Sequence, residues 1–334
     1  MASQKEIAAA AGVSVSTVSR VLGGMGEKAA SPEVARRIWE VARQLGYTPN
    51  PAARALRLGA PTAGTPPRIV TLLARVIDTE SDPFFQALAQ AVDEEILRQG
   101  CPLLSSLPLT QGMERDCREL ERLRPQGLVL LGRCSGEAAR RLGRRWPSIA
   151  VGLNPAGQSA VDQVLCSGRE AARMAVEHLL ERGHTRIAYL GECTVENRYS
   201  GYRELLAEKG LPFRRELVGE TRQTEEGGER GVASLLKLEK PPTAIFCAND
   251  SVAIGAVRGL RKRGLSVPAD LAIISVDDIA PAGMVHPQLT TIHIPKDDMG
   301  RLAVRLLLDR LQGGHSEVLQ LRLPCRLVVR ESTG

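Results

Sequence analysis

The stretch Gly12-Val13-Ser14-Val15-Ser16-Thr17-Val18-Ser19-Arg20-Val21-Leu22 constrains this 334-residue chain more than any other. Ser3-Gln4-Lys5-Glu6 ahead of it is an S-x-x-E capping box, so a helix starts at Gln4 and runs through Ile7 and a row of alanines. Gly12 supplies the left-handed stop, and Ser14 caps a second helix over Val15 to Leu22. On a helical wheel Val18, Val21 and Leu22 share the face that must pack on the first helix, while Ser16 and Arg20 point the other way. This is the pattern of a helix-turn-helix. An outward Arg20 suits bidentate donation to guanine O6 and N7, Val15 a thymine methyl, and the hydroxyls of Thr17 and Ser19 backbone phosphates. An ordinary helical hairpin is the alternative reading of the motif taken alone.

The sequence that follows narrows the choice. Ser31-Pro32-Glu33 starts a third helix with a cap, Pro at its first position and an acid in the first turn. Its spacing predicts a core face of Val34, Ile38, Val41 and Leu45, with Trp39 and Tyr47 contributing and Gly46 as the stop. Asn50 and Pro51 then open a helix of about eight residues ending at Gly59, too short to be stable alone in water. Its small residues Ala52, Ala53 and Ala55 suit close approach of a twin helix. A Pro- and Gly-rich linker runs to Pro67. Residues 1–60 hold eight Lys/Arg against four Glu, so +4 of the net +6 sits in this first part, a basic footprint suited to phosphate contact.

From Arg68 onward, short apolar runs alternate with amphipathic helical patterns. Strands are expected at 69–73, 102–107, 127–131, 148–153, 186–190, 243–247 and 271–276, with helices such as 84–98, 170–181 and 252–262. The alternation predicts parallel sheets with helices on both faces, whose ligands sit beyond the carboxyl ends of the strands. The polar residues at those ends include Ser105, Ser106, Arg133, Gly191, Asn249, Asp250, Asp277 and Asp278, with Arg75 and Asp78 after the first strand. Phe84 and Phe85 open the helix behind Ser81-Asp82-Pro83.

Several function classes recede at this stage. No run of about 18 apolar residues can span a bilayer, and the N-terminus lacks the pattern of a signal peptide, so a cytoplasmic protein without membrane contact is expected. The seven cysteines lie singly without a C-x-x-C pair and read as reduced residues, neither a zinc site nor a disulfide framework. A redox-sensing thiol is the minority reading, because reactivity depends on local surroundings. No phosphate-loop, dinucleotide-binding, nucleophile-elbow or zinc-protease motif is present. If Asp277 and Asp278 are extended at a strand end, their side chains face opposite ways and cannot cooperate in glycoside chemistry. No catalysis and no cofactor are therefore expected.

The string Ile7-Ala8, Gly12-Val13-Ser14, Thr17 to Leu22, Leu45 to Asn50 and Ala53 to Arg57 resembles the headpiece of the LacI/GalR family of bacterial transcription regulators. The likeness continues through Asp82-Pro83-Phe84-Phe85, Glu177 to Leu180 with Gly183-His184, Asn197-Arg198 with Gly201-Tyr202-Arg203, Ala248-Asn249-Asp250, Asp277-Asp278 and Pro287 to Ile292. It implies an all-α helix-turn-helix headpiece (1–48), a hinge helix and linker (49–67), and an α/β core similar to periplasmic sugar-binding proteins (68–334). The core would comprise two doubly wound parallel-sheet subdomains, 68–160 with 292–320 and 161–291 with 321–334, crossing near Ala160, Thr291 and Leu321.

The resemblance further implies a homodimer, possibly a tetramer, on a palindromic double-stranded DNA operator. Val15, Ser16 and Arg20 would read bases, Thr17, Ser19, Asn50, Ala53 and Arg57 would complete the contact, and Leu56 would wedge into the minor groove. The implied effector, a sugar, sugar phosphate or related metabolite, would meet Phe84, Phe85, Arg133, Arg198, Asn249, Asp250 and Asp277. Convergence of Arg75, Arg133 and Arg198 would suit an anionic ligand. Two positions depart from the family's usual residues: Cys166-Ser167 stands where Asp-Asn is common, and Ser275-Val276 where Gly usually precedes the first aspartate. The competing classes are a solute-binding protein and a carbohydrate-active enzyme.

Overall fold

The computed structural model describes residues 2–22, 30–47, 66–74, 82–109, 113–154, 161–194 and 196–334. The chain divides into two units, residues 1–165 with 296–321 and residues 166–295 with 322–334. It passes between them at 165/166, 295/296 and 321/322, against sequence expectations near Ala160, Thr291 and Leu321. Thr291 lies inside a strand of the second unit, so the passage there falls beyond it.

Local chemistry sets the N-terminal helices. In α1 (Gln4–Ala11) both halves of the capping box form, Glu6 N–H donating to Ser3 Oγ and Ser3 N–H to Glu6 Oε2 at 2.6 Å. Gly12 turns the chain at φ 64°, a left-handed conformation that costs a side-chain-bearing residue more. Ser14 caps α2 (Val15–Arg20), which Val21 and Leu22 continue as a π-turn. Ser31 caps α3 (Pro32–Gln44) with Pro32 at its first position. Val18, Val21 and Leu22 are buried with Ile7, Ala8, Ala11, Ala35, Ile38, Trp39, Ala42 and Tyr47.

The buried stripe of α3 differs from the expected one. Ala35, Ile38, Trp39 and Ala42 face inward, Val34 and Val41 are half-buried, and Leu45 is 43% exposed. The expected hinge residues Asn50, Ala53, Leu56 and Arg57 lie outside the described residues.

The rest of the first unit builds a six-stranded sheet in the order β11-β5-β4-β3-β1-β2. Its strands are β1 (Ile69–Leu73), β2 (Leu107–Pro108), β3 (Gly127–Leu131), β4 (Ser148–Gly152), β5 (Asp162–Cys166) and β11 (Gln320–Leu323). Pairing from β2 through β5 is parallel, and β1, β3, β4 and β5 are buried throughout, as strands covered on both faces must be. The covering helices are α4 (Pro83–Arg98), α5 (Met113–Leu123), α6 (Gly136–Gly143) and α11 (Lys296–Leu311).

The second unit repeats the plan in the order β12-β10-β9-β8-β6-β7. Its strands are β6 (Ile187–Gly191), β7 (Val218–Glu220), β8 (Ala244–Cys247), β9 (Ala272–Asp277), β10 (Thr290–His293) and β12 (Arg326–Val328), the last antiparallel to β10. Helices α7 (Gly168–Glu181), α8 (Asn197–Glu208), α9 (Glu225–Leu235) and α10 (Asp250–Arg261) complete it. No described helix is long and apolar enough to cross a membrane.

The strand expected over 102–107 shrinks to the two residues of β2. Pro102 has no amide hydrogen to lend a ladder, and the Leu103 N–H goes instead to the Tyr47 carbonyl at 2.9 Å. That bond joins the end of the N-terminal helices to the sheet layer. A second tie lies beside it: Arg43 donates through Nε (2.9 Å) and Nη2 to Asp93 Oδ2 on α4. Asp93 is buried, and burial raises its pKa against the opposing pull of the Arg43 charge. Removing the arginine strands the carboxylate, whereas Asp93→Asn leaves behind only a partly exposed cation. Arg43→Ala should therefore lower stability by about 3–5 kcal/mol and Asp93→Asn by clearly less, read by urea unfolding at neutral pH. Equal losses would show that Asp93 is not held as a paired buried charge.

Candidate functional site

Two sets of residues carry recognition chemistry, one on α2 and one at the carboxyl edge of the second sheet. On α2, Val15 (40% exposed), Ser16, Ser19 and Arg20 face solvent and Thr17 is half-buried, while Val18 on the opposite side is fully buried. The Ser14 hydroxyl lies 2.8 Å from those of both Ser16 and Thr17. Arg20 donates through Nε to the Ser16 carbonyl at 3.3 Å, which braces its stem along the helix. The α2 residues singled out by sequence thus share one surface that offers hydroxyls, a methyl-bearing side chain and a guanidinium.

At the second sheet, the ends of β6, β7, β8 and β9 surround Arg198, which is 5% exposed. Glu196 caps α8 by accepting from the Arg198 amide at 3.1 Å, and the same carboxylate takes Arg198 Nε at 2.8 Å and Nη2 at 3.0 Å. Gln223 Oε1, just past β7, accepts from Nη2 at 3.2 Å, and the Ala248 carbonyl, just past β8, accepts from Nη1 at 2.7 Å. Asp277 Oδ1 at the end of β9 stands 4.0 Å from Nη1, an ion-pair distance longer than a hydrogen bond. Burial works to lower the Arg198 pKa, but the charges and hydrogen bonds of Glu196 and the charge of Asp277 outweigh it and hold it above the usual arginine value. Two carboxylates thus face one guanidinium.

Backbone geometry aims these groups. Gly191, at φ 156°, closes β6, and a Cβ there would stand 2.3 Å from that of Ala248. Asp277 and Asp278 both have positive φ, 120° and 52°, so β9 ends in two consecutive strained residues and the condition of a plainly extended pair is not met. Their partners differ: Asp277 faces Arg198, while Asp278 accepts from Arg330 (2.7 Å) and pairs with His293 Nδ1 (2.8 Å).

The remaining sequence candidates take other places. Asn249 caps α10, its Oδ1 accepting from the Val252 amide at 3.0 Å, and its Nδ2 reaches the Gln223 carbonyl at 3.5 Å. Asp250 is fully buried. Its Oδ1 accepts from Ser275 (2.5 Å) and Thr291 (2.6 Å) and its Oδ2 from the Ile279 amide (2.8 Å), so it ties β9, β10 and the following turn to α10. In the first unit, Phe84 and Phe85 are buried edge to face with centroids 5.2 Å apart, and Lys296 Nζ lies 5.8 Å from the Phe84 centroid. Arg133 is half-buried beyond β3, and Arg75 lies outside the described residues.

Glu196 and Gln223 were not among the sequence candidates. Gln223 follows β7, a three-residue strand too short to leave an apolar run, and Glu196 sits in a helix cap rather than at a strand end. Spacing held a clue to Glu196 alone, since it lies two residues before an arginine that opens a helix. Among the described residues no group of three or more His, Cys, Asp or Glu could hold a metal ion.

Residues 3–50 match the bacterial regulatory proteins of the lacI family, and residues 176–333 match a periplasmic binding protein-like domain. The chain is 31% identical to the HTH-type transcriptional repressor PurR of Actinobacillus pleuropneumoniae over 93% of its own length and 92% of that protein's. It is 32% identical to the HTH-type transcriptional repressor MelR of Bacillus subtilis over 99% of its own length and 97% of that protein's. Among solved structures, the transcriptional regulator CelR in complex with cellobiose superposes with a TM-score of 0.72 at 27% identity, covering 99% of this chain and all of the other.

Asp250 gives this region a pH signature. Desolvation raises its pKa to about 6, against the pull of the Ser275, Thr291 and Ile279 hydrogen bonds. An aspartate in the unfolded chain titrates near ~3.9, so the folded state binds the extra proton between about pH 4 and 6. The stability that this group contributes is therefore present below that window and lost as pH rises through it. The stability difference between the parent chain and Asp250→Asn should fall by roughly 2–3 kcal/mol from pH 4 to pH 6.5. Parallel unfolding profiles for the two proteins would contradict this reading of Asp250.

Proposed function

Because the chain belongs to the LacI family of bacterial regulatory proteins, we propose that it binds a palindromic operator in the cytoplasm as a homodimer and responds there to a small-molecule effector. Membership makes it a DNA-binding transcriptional regulator with a periplasmic-binding-protein-like core, and not an enzyme. Residues 1–48 form the DNA-binding part, 49–67 the hinge and linker, and the remainder the effector-binding and dimerisation core. The observation that carries the proposal is α2: a helix with one face sunk in its own core and the other presenting Val15, Ser16, Ser19 and Arg20. Arg20 and Ser16 read base edges, Thr17 and Ser19 hold phosphates, and Leu56 wedges between base pairs where the two hinge helices meet.

The effector is a neutral, hydroxyl-rich sugar or sugar derivative bound at Arg198, Asp277 and Asn249. CelR, similar over nearly the whole chain, holds cellobiose. Arg198 is already balanced by Glu196 and Asp277, so the group offers acceptors to hydroxyls and little spare positive charge to a phosphate. That arrangement favours a neutral sugar over the sugar phosphate suggested by three converging arginines. An effector that prefers one arrangement of the core shifts the protein toward it, and operator affinity moves by the same coupling.

Three outcomes are expected. In operators selected from random DNA, Arg20→Ala should relax preference at one base pair of each half-site, a change of about 1–3 kcal/mol; uniform weakening at every position would assign Arg20 to phosphate instead. Leu56→Ala should reduce operator bending in a circular-permutation gel, and unchanged bending would remove the wedge. Thermal-shift titration with matched neutral and phosphorylated sugars should show stabilisation by a neutral member; stabilisation by phosphorylated members alone would overturn the proposed effector class.

A further inference from the structure

In a parallel sheet every strand starts on the same side, so the residues that precede β1, β2, β3 and β4 line one edge of the first sheet, its amino edge. Arg68 precedes β1, Arg122 and Arg124 close α5 ahead of β3, and Arg144 and Arg145 follow α6 ahead of β4. All five are exposed. The same edge meets the N-terminal helices. Leu103, whose N–H donates to the Tyr47 carbonyl, precedes β2, and the chain arriving from the N-terminal part enters β1 at Arg68.

Two of these arginines brace the edge. Arg68 donates through Nε to the Leu123 carbonyl and through its amide to Gln126 Oε1, both at 2.9 Å, which joins the start of β1 to the end of α5. Arg145 donates to Glu121 at 2.5 Å and lies 5.2 Å from the Trp146 ring centroid, which joins α5 to the end of α6. Arg122, Arg124 and Arg144 form no ion pair among the described residues. Three guanidiniums therefore stand on one braced edge without an acid to balance them.

The backbone supplies a second observation. α1, α3, α4, α7, α8, α10 and α11 are each followed by a glycine with positive φ. After α5 that place is taken by Arg124, at φ 49°, with its N–H donating to the Leu120 carbonyl at 3.1 Å. Left-handed backbone disfavours a side chain, and glycine is the residue that fits it best. An arginine standing where glycine would serve the helix better calls for a role of its side chain.

We infer that the amino edge of the first sheet is a second DNA-contacting surface, on which Arg122, Arg124 and Arg144 neutralise backbone phosphates of the operator duplex. The inference rests on the reading of the chain as an operator-binding regulator. DNA is the occupant that the layout favours. The surface continues from the N-terminal helices that carry α2, through the Tyr47 and Leu103 contact, and it extends the basic footprint of residues 1–60. Guanidiniums suit phosphate oxygens, and contacts of this kind add affinity without reading sequence.

The test compares the full chain with the triple variant Arg122→Ala, Arg124→Gly, Arg144→Ala on two duplexes of equal length, one holding a selected operator and one scrambled, over a series of salt concentrations. The variant should bind both duplexes about tenfold or more weaker at low salt, and its plot of log affinity against log salt should be flatter by about one unit or more. It should select the same operator sequence as the parent. Arg124→Gly alone should unfold at an equal or higher urea concentration than the parent, which separates loss of a DNA contact from loss of the fold. Arg122→Lys with Arg144→Lys should retain most of the operator affinity, because a phosphate contact asks for charge.

Unchanged affinity and salt slope in a folded triple variant overturns the inference and leaves an acidic protein as the partner that the charge would suit. Weakening confined to the operator, with the scrambled duplex bound as before, also overturns it, because phosphate contacts do not distinguish the two. A parent chain that binds neither duplex would overturn operator binding itself and this inference with it, whereas a parent that binds and a variant that binds equally well would overturn the inference alone.

Discussion

A guanidinium cannot shed its proton in a protein interior, so an arginine as buried as Arg198 obliges its surroundings to supply negative charge and acceptors. Much of the second sheet's carboxyl edge is arranged to meet that demand. Glu196 is fixed by the helix it caps, Gln223 by the loop after β7, and the Ala248 carbonyl by the tight passage beside Gly191. Asp277 is delivered by a strained backbone turn. Asp250 holds that turn from beneath through the Ile279 amide and both strand hydroxyls. Groups held this way are fixed by the protein itself, so a ligand bound there would need little further ordering of the site.

What the sequence revealed follows from how local each signal is. The capping box at Ser3, the left-handed Gly12 and the caps at Ser14 and Ser31 act within a few residues, and all four form. The buried face of α3 is a tertiary choice. Val34, Ile38, Val41 and Leu45 and the observed Ala35, Ile38, Trp39 and Ala42 both satisfy helical spacing, and the packing of the other N-terminal helices against α3 decides between them. β5 begins with Asp162 and Gln163 and did not read as a strand. Its buried aspartate is made tolerable by Arg310, His315 and the Leu319 amide, about 150 residues away in sequence. Asp277 was legible as a polar residue at the edge of an α/β sheet and Arg198 through the family resemblance, whereas Glu196 is a local helix cap that spacing alone did not single out and Gln223 meets Arg198 only through the pairing of β6 with β7.

The contact between the N-terminal helices and the first sheet layer bears on the proposed control. Tyr47 and Arg43 belong to the N-terminal helical part that includes α2, and Leu103 and Asp93 belong to the layer behind β1. A headpiece joined to the core only by a linker would respond to an effector through the linker alone. Here a buried ion pair and a backbone hydrogen bond also join the two, so any shift of α4 relative to α3 must stretch or break them.

The proposed control links ligand and operator through one chain, and linkage is reciprocal by thermodynamic necessity. The direct measurement takes the neutral sugar that stabilises the protein and determines two ratios on the same preparation: operator affinity with and without saturating sugar, and sugar affinity with and without saturating operator. Under the proposed control the two ratios are equal and differ from one. A sugar that binds with the same affinity on and off the operator, and leaves operator affinity unchanged, would contradict it.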